Sequence, residues 1–118
     1  MKKVLVVDDD TDLLVMMKTF LKRNGYEVAV TISCEEGLEI FYSFNPDLVM
    51  LDINVGSEDG REMCKKIKSQ AEYQHIPVLL ISANHEALQL YSDYGANAAV
   101  KKPFELTSLL DLLATQVS

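Results

Sequence analysis

Apolar residues alternate along the chain between short continuous runs and longer stretches of helical spacing, and the alternation repeats five times. Val4, Leu5, Val6 and Val7 form an unbroken, mostly β-branched run, the pattern of a strand buried on both faces. Leu13, Leu14, Met16, Met17, Phe20 and Leu21 then recur at helical spacing, from an Asp10 or Thr11 cap to a stop at Gly25. A second strand is predicted over 26–32, with Val28, Val30 and Ile32 alternating. Ser33-Cys34-Glu35-Glu36 has the capping-box pattern and opens a helix through about residue 44.

Asn45-Pro46 breaks that helix, and the run Leu48-Val49-Met50-Leu51 predicts a third buried strand ending at Asp52. A polar loop through Asp59-Gly60 leads to a helix whose inner contacts are Met63, Cys64 and Ile67. Pro77 opens a fourth strand, Val78-Leu79-Leu80-Ile81. A helix is predicted over 84–94 with its stop at Gly95, a short fifth strand at Ala98-Ala99-Val100, and a last helix over 106–117 with Leu109, Leu110, Leu112 and Leu113 inside. Five βα units without a hairpin signal imply a doubly wound α/β sandwich of three layers around a five-stranded parallel sheet.

Length and composition narrow the reading. The 118 residues suit one domain over 1–118, with no output domain expected after the last helix. A hydrophobic content of 48% against 25% charged residues is that of a folded chain. The net charge of -7 argues against direct nucleic-acid contact, which depends on Lys and Arg displacing counterions. No apolar stretch is long enough for a membrane span, and the first run is too short for a signal-peptide core, so a cytoplasmic location is expected. Cys34 and Cys64 lie on helical stretches with no metal-type spacing, and read as small buried side chains. His75 and His85 read as solvated surface residues.

In parallel sheets of this kind ligands bind beyond the carboxyl ends of the strands. Asp8-Asp9-Asp10 end the first strand, Asp52 the third, Ser82-Ala83 the fourth and Lys101-Lys102-Pro103 the fifth. Carboxylates gathered on one rim repel one another unless a cation neutralises them, and magnesium, a hard ion taking oxygen ligands, suits the set. A docked phosphoryl group would bring its own charge, which a lysine and a hydroxyl can balance. Taken singly, Asp10 and Ser82 read as ordinary caps and the Lys-Pro step as a turn.

The ordered set VLVVDDD, LVMLD, the loop to DG, LLISA and KKPF resembles the receiver domains of bacterial response regulators, the chemotaxis-regulator-like phosphorylation switches of two-component signalling. The resemblance covers the whole chain and implies a flavodoxin-like fold with strand order 2-1-3-4-5. It implies that Asp52 takes a phosphoryl group from a phosphohistidine of a sensor histidine kinase or phosphotransfer domain. It further implies that Asp9 binds Mg2+ (or Mn2+ in its place) directly, Asp8 through water, and the main-chain carbonyl of Asn54 as a further ligand. Lys102 would contact the phosphoryl group and Ser82 would be the switch hydroxyl. Asn54 and Asn84, with Ala83, stand where the family tunes the lifetime of the phosphorylated state. The chain would catalyse its own phosphorylation rather than turn over a separate substrate, and would signal to an output protein; pairing as a homodimer is left open. A cis bond before Pro103 is also expected.

Three departures stand out. Val55-Gly56 replaces the family's frequent Met-Pro, which predicts a more mobile loop. Ala99 replaces an aromatic residue on the fifth strand, and 82–95 is a couple of residues short, which predicts an altered fourth helix. Tyr91 and Tyr94 are read as packing residues rather than substitutes for the missing ring. Three other readings compete. A pseudo-receiver would lack an acid, the acceptor or the lysine. A flavodoxin-like nucleotide binder would want a phosphate loop where three aspartates stand. A haloacid-dehalogenase-type phosphatase would want a second acid where Asn54 stands.

Overall fold

In a computed structural model, which describes residues 1–117, strands and helices alternate along the chain. They are β1 (Lys3–Val7), α1 (Thr11–Arg23), β2 (Glu27–Thr31), α2 (Cys34–Phe44), β3 (Leu48–Asp52), β4 (Asn54–Val55), β5 (Glu58–Asp59), α3 (Gly60–Lys68), β6 (Val78–Ser82), β7 (Ala98–Lys101) and α4 (Leu106–Gln116). The main sheet is parallel throughout in the order β2-β1-β3-β6-β7. Counting its five strands alone, that is the expected 2-1-3-4-5.

The two faces of the sheet carry separate apolar layers, as alternation along each strand requires. Leu5, Val7, Val49, Leu51, Val78 and Leu80 pack with Phe41, Met63, Cys64 and Ile67 of α2 and α3. Val4, Val6, Leu48, Met50, Leu79 and Ile81 pack with Leu14, Met17, Leu21, Leu109 and Leu113 of α1 and α4. The central strands β1, β3 and β6 are covered on both sides, which explains their continuous apolar runs. Among the described residues no helix is long and apolar enough to cross a membrane.

Local signals act as anticipated at most ends. Asp10 caps α1 by accepting from Leu13 N at 3.1 Å, and Gly25 adopts φ 92 just past it. Ser33 caps α2 through Glu36 N, and both cysteines are free and buried. The Lys102–Pro103 bond is cis. Met16, expected on the inner face of α1, is exposed, and Ile32 lies beyond β2 in solvent. In α4, Leu109 and Leu113 are buried while Leu110 and Leu112 are only half so.

The largest difference is at 84–94, where an α-helix is predicted and none forms. Residues 85–90 are turns, followed by a 3-10 helix at Tyr91–Tyr94. The hydrogen bonds skip three residues instead of four, as in Leu88 N to His85 O, Gln89 N to Glu86 O and Tyr91 N to Leu88 O, each at 3.2 Å. The connection is short, and a 3-10 path rises about 2.0 Å per residue against about 1.5 Å in an α-helix, so it spans the same layer with fewer residues. Leu90, which the expected helix would have carried, is exposed.

Candidate functional site

The sheet register brings the chemical residues together. Val7 lies opposite Leu51, so Asp8 and Asp52 follow side by side on neighbouring strands, and Asp52 in turn lies opposite Ile81. Ser82 pairs with Lys101, which places Lys102 one step further along the same rim. One carboxylate oxygen from each of Asp8, Asp9 and Asp52 lies within 4.8 Å of the others. Asp8 and Asp52 are buried and Asp9 is exposed, so the cluster opens to solvent on one side only.

Lys102 bridges the two buried acids, donating from Nζ to Asp8 Oδ2 and to Asp52 Oδ2, both at 2.8 Å. The second oxygen of each acid is held by main chain: Asp10 N donates to Asp8 Oδ1 at 2.9 Å, and Asn54 N to Asp52 Oδ1 at 3.1 Å. Burial pushes the Asp8 carboxyl above its ordinary range and the charge of Asp52 adds to this, while Lys102 and Asp10 N–H oppose it. Burial pulls the Lys102 ammonium down, but its bonds to Asp52 and Asp8 outweigh that and leave it raised. The site thus stores surplus negative charge around a single ammonium.

Three carboxylates of hard oxygen, converging on one open-sided point, fit a magnesium ion better than a soft metal. Asp8, Asp9 and Asp52 would hold it, with the Asn54 carbonyl on the adjoining hairpin. Ser82 is fully buried, and its Oγ accepts from Asn84 N at 2.9 Å. Asn84 and Ala83 are exposed, and Asn84 Oδ1 accepts from Ala87 N at 3.2 Å, so the amide caps the turn that follows.

Several contacts escaped the sequence reading. Residues 54–59 fold as a small antiparallel hairpin in which Asn54 pairs with Asp59 and Val55 with Glu58. Gly56, at φ 60, donates its N–H to Asp9 Oδ2 at 3.0 Å; a proline there could neither donate nor reach that conformation. The loop expected to be loose is therefore tied to the acidic cluster. Two-residue strands carry no periodic pattern, so the hairpin had no signal to find. His85, read as a solvated residue, is exposed yet has Nε2 3.4 Å from Lys102 O. His75 is exposed as expected.

Comparison with known proteins agrees with this geometry. The model of the response regulator receiver domain family matches residues 4–114, and the chain belongs to that family. The structure of the response regulator TrrA from Thermotoga maritima, in complex with Mg2+-BeF, is 32% identical with a TM-score of 0.86, covering 98% of this chain and 99% of that one. The chemotaxis protein CheY4 from Vibrio cholerae is 30% identical with a TM-score of 0.90, covering 100% and 99%. NtrX from Brucella abortus is 28% identical with a TM-score of 0.88, but its match spans 98% of this chain and only 27% of that longer one. Receiver domains are signalling modules that bind Mg2+ at an acidic pocket and work with histidine kinases or phosphotransfer proteins and with output domains.

Proposed function

We propose that this chain is a phosphorylatable receiver, a single domain over 1–118 in which Asp52 accepts a phosphoryl group from a phosphohistidine of a sensor kinase or phosphotransfer domain. The observation that carries the reading is the Asp8–Lys102–Asp52 bridge beside Asp9, because it supplies acceptor, cation ligands and phosphate partner at one point. A pseudo-receiver would retain the fold without this complete set.

Phosphoryl transfer runs through a loose transition state with charge spread over the phosphoryl oxygens, so the residues mainly position and neutralise. A bound Mg2+, or Mn2+ in its place, would offset the charge of the phosphoryl oxygens and of the three acids. Asp52 is fixed at one oxygen by Asn54 N–H, which leaves the other to form the O–P bond as the donor's P–N bond breaks and its imidazole departs with the electron pair. Lys102, already on that second oxygen, is placed to shift onto the phosphoryl group. Ser82 keeps its hydroxyl proton free for a phosphate oxygen, since Oγ is the acceptor of its bond from Asn84. Drawing Ser82 toward the phosphate pulls on Asn84 and the short 3-10 connection, which turns local charge into a surface change. Asn54, Asn84 and Ala83 would tune how readily water resets the domain.

A groove of about 320 Å³ beside the site, lined by Leu13, Met16, Ala83, Pro103 and Phe104, offers apolar surface to the phosphodonor partner next to Lys102. The output partner would read the face of β7, where Ala99 is half-buried and lacks the usual ring. The chain works in the cytoplasm, without nucleic-acid contact, and a homodimer is compatible with the reading.

Intact-mass analysis after incubation with Mg2+ and acetyl phosphate tests the proposal. Wild type should gain one phosphate, and Asp52→Ala none. A wild-type protein that stays unmodified with acetyl phosphate and with a phosphorylated phosphotransfer domain would favour the pseudo-receiver.

A further inference from the structure

The hairpin between β3 and α3 carries contacts that the sheet does not require. Glu58, opposite Val55, reaches out of β5 to the first turn of α2. Its Oε1 accepts from Cys34 N at 2.7 Å and its Oε2 from Glu35 N at 3.1 Å. These N–H groups have no acceptor inside their own helix, and the Ser33 hydroxyl serves only Glu36 N. A carboxylate at this end of a helix is held by charge-assisted bonds and by the helix dipole. At the turn of the same hairpin Gly56 N–H grips Asp9. At its base Gly60 N donates to Ile53 O at 2.7 Å. Asn54 lies between these ties.

We propose that Glu58 is a positioning residue for the cation site. By fixing the hairpin against α2 it holds the Asn54 carbonyl and the Gly56–Asp9 contact in place, and it couples cation binding at Asp9 to the first turn of α2. The inference rests on reading Asp8, Asp9 and Asp52 as a Mg2+ site. It goes beyond that reading by placing a determinant of affinity outside the acidic cluster and a reporter on α2. A plain helix cap would affect stability and the Cys34 and Glu35 amides, but not Mg2+ binding.

The test is an amide NMR titration of the full chain with MgCl2, comparing wild type, Glu58→Gln and Glu58→Ala. In wild type the Gly56, Cys34 and Glu35 amides should shift together and saturate at one Mg2+ concentration. Partners one shell outside a metal typically control about 10- to 100-fold in affinity, so Glu58, one step further away, should control about three- to tenfold. Glu58→Ala should weaken Mg2+ by that factor and silence the response of Cys34 and Glu35. Glu58→Gln keeps one acceptor oxygen and the side-chain length, and should fall between; it carries the test alone if the alanine variant does not fold. Mg2+ affinity within about twofold of wild type in every folded variant would overturn the proposal while leaving the cation site intact. A wild-type protein without a saturable Mg2+ shift would overturn both.

Discussion

Gly60 shows how closely one residue can constrain the site. A Cβ built there would lie 1.9 Å from the Asp52 carbonyl oxygen and 2.9 Å from its carbonyl carbon, so main chain, not a pliable side chain, would have to give way. Gly60→Ala should therefore cost about 2–3 kcal/mol, the upper part of the ordinary range for overpacking, read as a lower urea midpoint at unchanged slope. The cysteines supply a second residue-scale test. Burial pushes Cys64 up to about 11, against a small opposing pull from Lys68, and burial with the charges of Glu58, Asp59 and Asp52 does the same to Cys34. The folded state thus prefers the neutral thiols. Their contribution to stability is complete below about pH 9.0 and lost as pH rises through about 11. At pH 8 native thiolate should be scarcer by about 100-fold than in the unfolded chain, and iodoacetamide labelling slower by at least that factor. Labelling at the unfolded rate would show that the helices around them open freely.

At the scale of elements, the connection from Ser82 to Gly95 sets the character of one side of the molecule. It has a single buried anchor, Leu88, apart from Ala96 at its end, and its hydrogen bonds are of the poorer i to i+3 kind. In hydrogen exchange followed by mass spectrometry, amides of 85–94 should exchange at least about 100-fold faster than those of β6. Equal protection would mean that the segment is as cooperative as the core. The same elements show what a sequence discloses. β1, β3 and β6 were legible because burial on both faces makes Val4–Val7, Leu48–Leu51 and Val78–Ile81 unbroken apolar runs, and Asp8, Asp52 and Ser82 because each directly follows such a run. Lys102 follows the short edge strand β7 and was legible from its place before Pro103. Residues 84–94 misled because Ala87, Leu88, Tyr91 and Tyr94 keep helical spacing, whereas the length available to the connection is a property of the whole layer. The ties from Gly56 to Asp9 and from Glu58 to α2 were hidden because they join residues 47 and 24 positions apart through a hairpin too short to have a pattern.

For the whole molecule, a net charge of -7 and three acids on one rim would make the proposed cation binding a source of stability as well as of chemistry. At tenfold over its dissociation constant, a ligand of the native state adds about 1.4 kcal/mol. In a domain of this size that corresponds to a rise of about 5 °C in Tm. MgCl2 should produce this shift in wild type and not in Asp9→Asn, with NaCl at matched ionic strength as the control. An equal rise in both proteins would mark general screening instead.

The bridge at the site joins residues 94 and 50 positions apart, since Lys102 arrives just past the last strand to meet acids at the ends of the first and the third. A chain emerging from the ribosome holds Asp52 long before it holds Lys102. Until β7 docks, Asp8 and Asp52 face each other without their ammonium, and no complete site exists to be modified. Under the proposed function, phosphorylation of this chain would therefore also be a certificate of finished folding: a kinase would inform only molecules whose final strand is in place, and half-made or unravelled copies would stay silent.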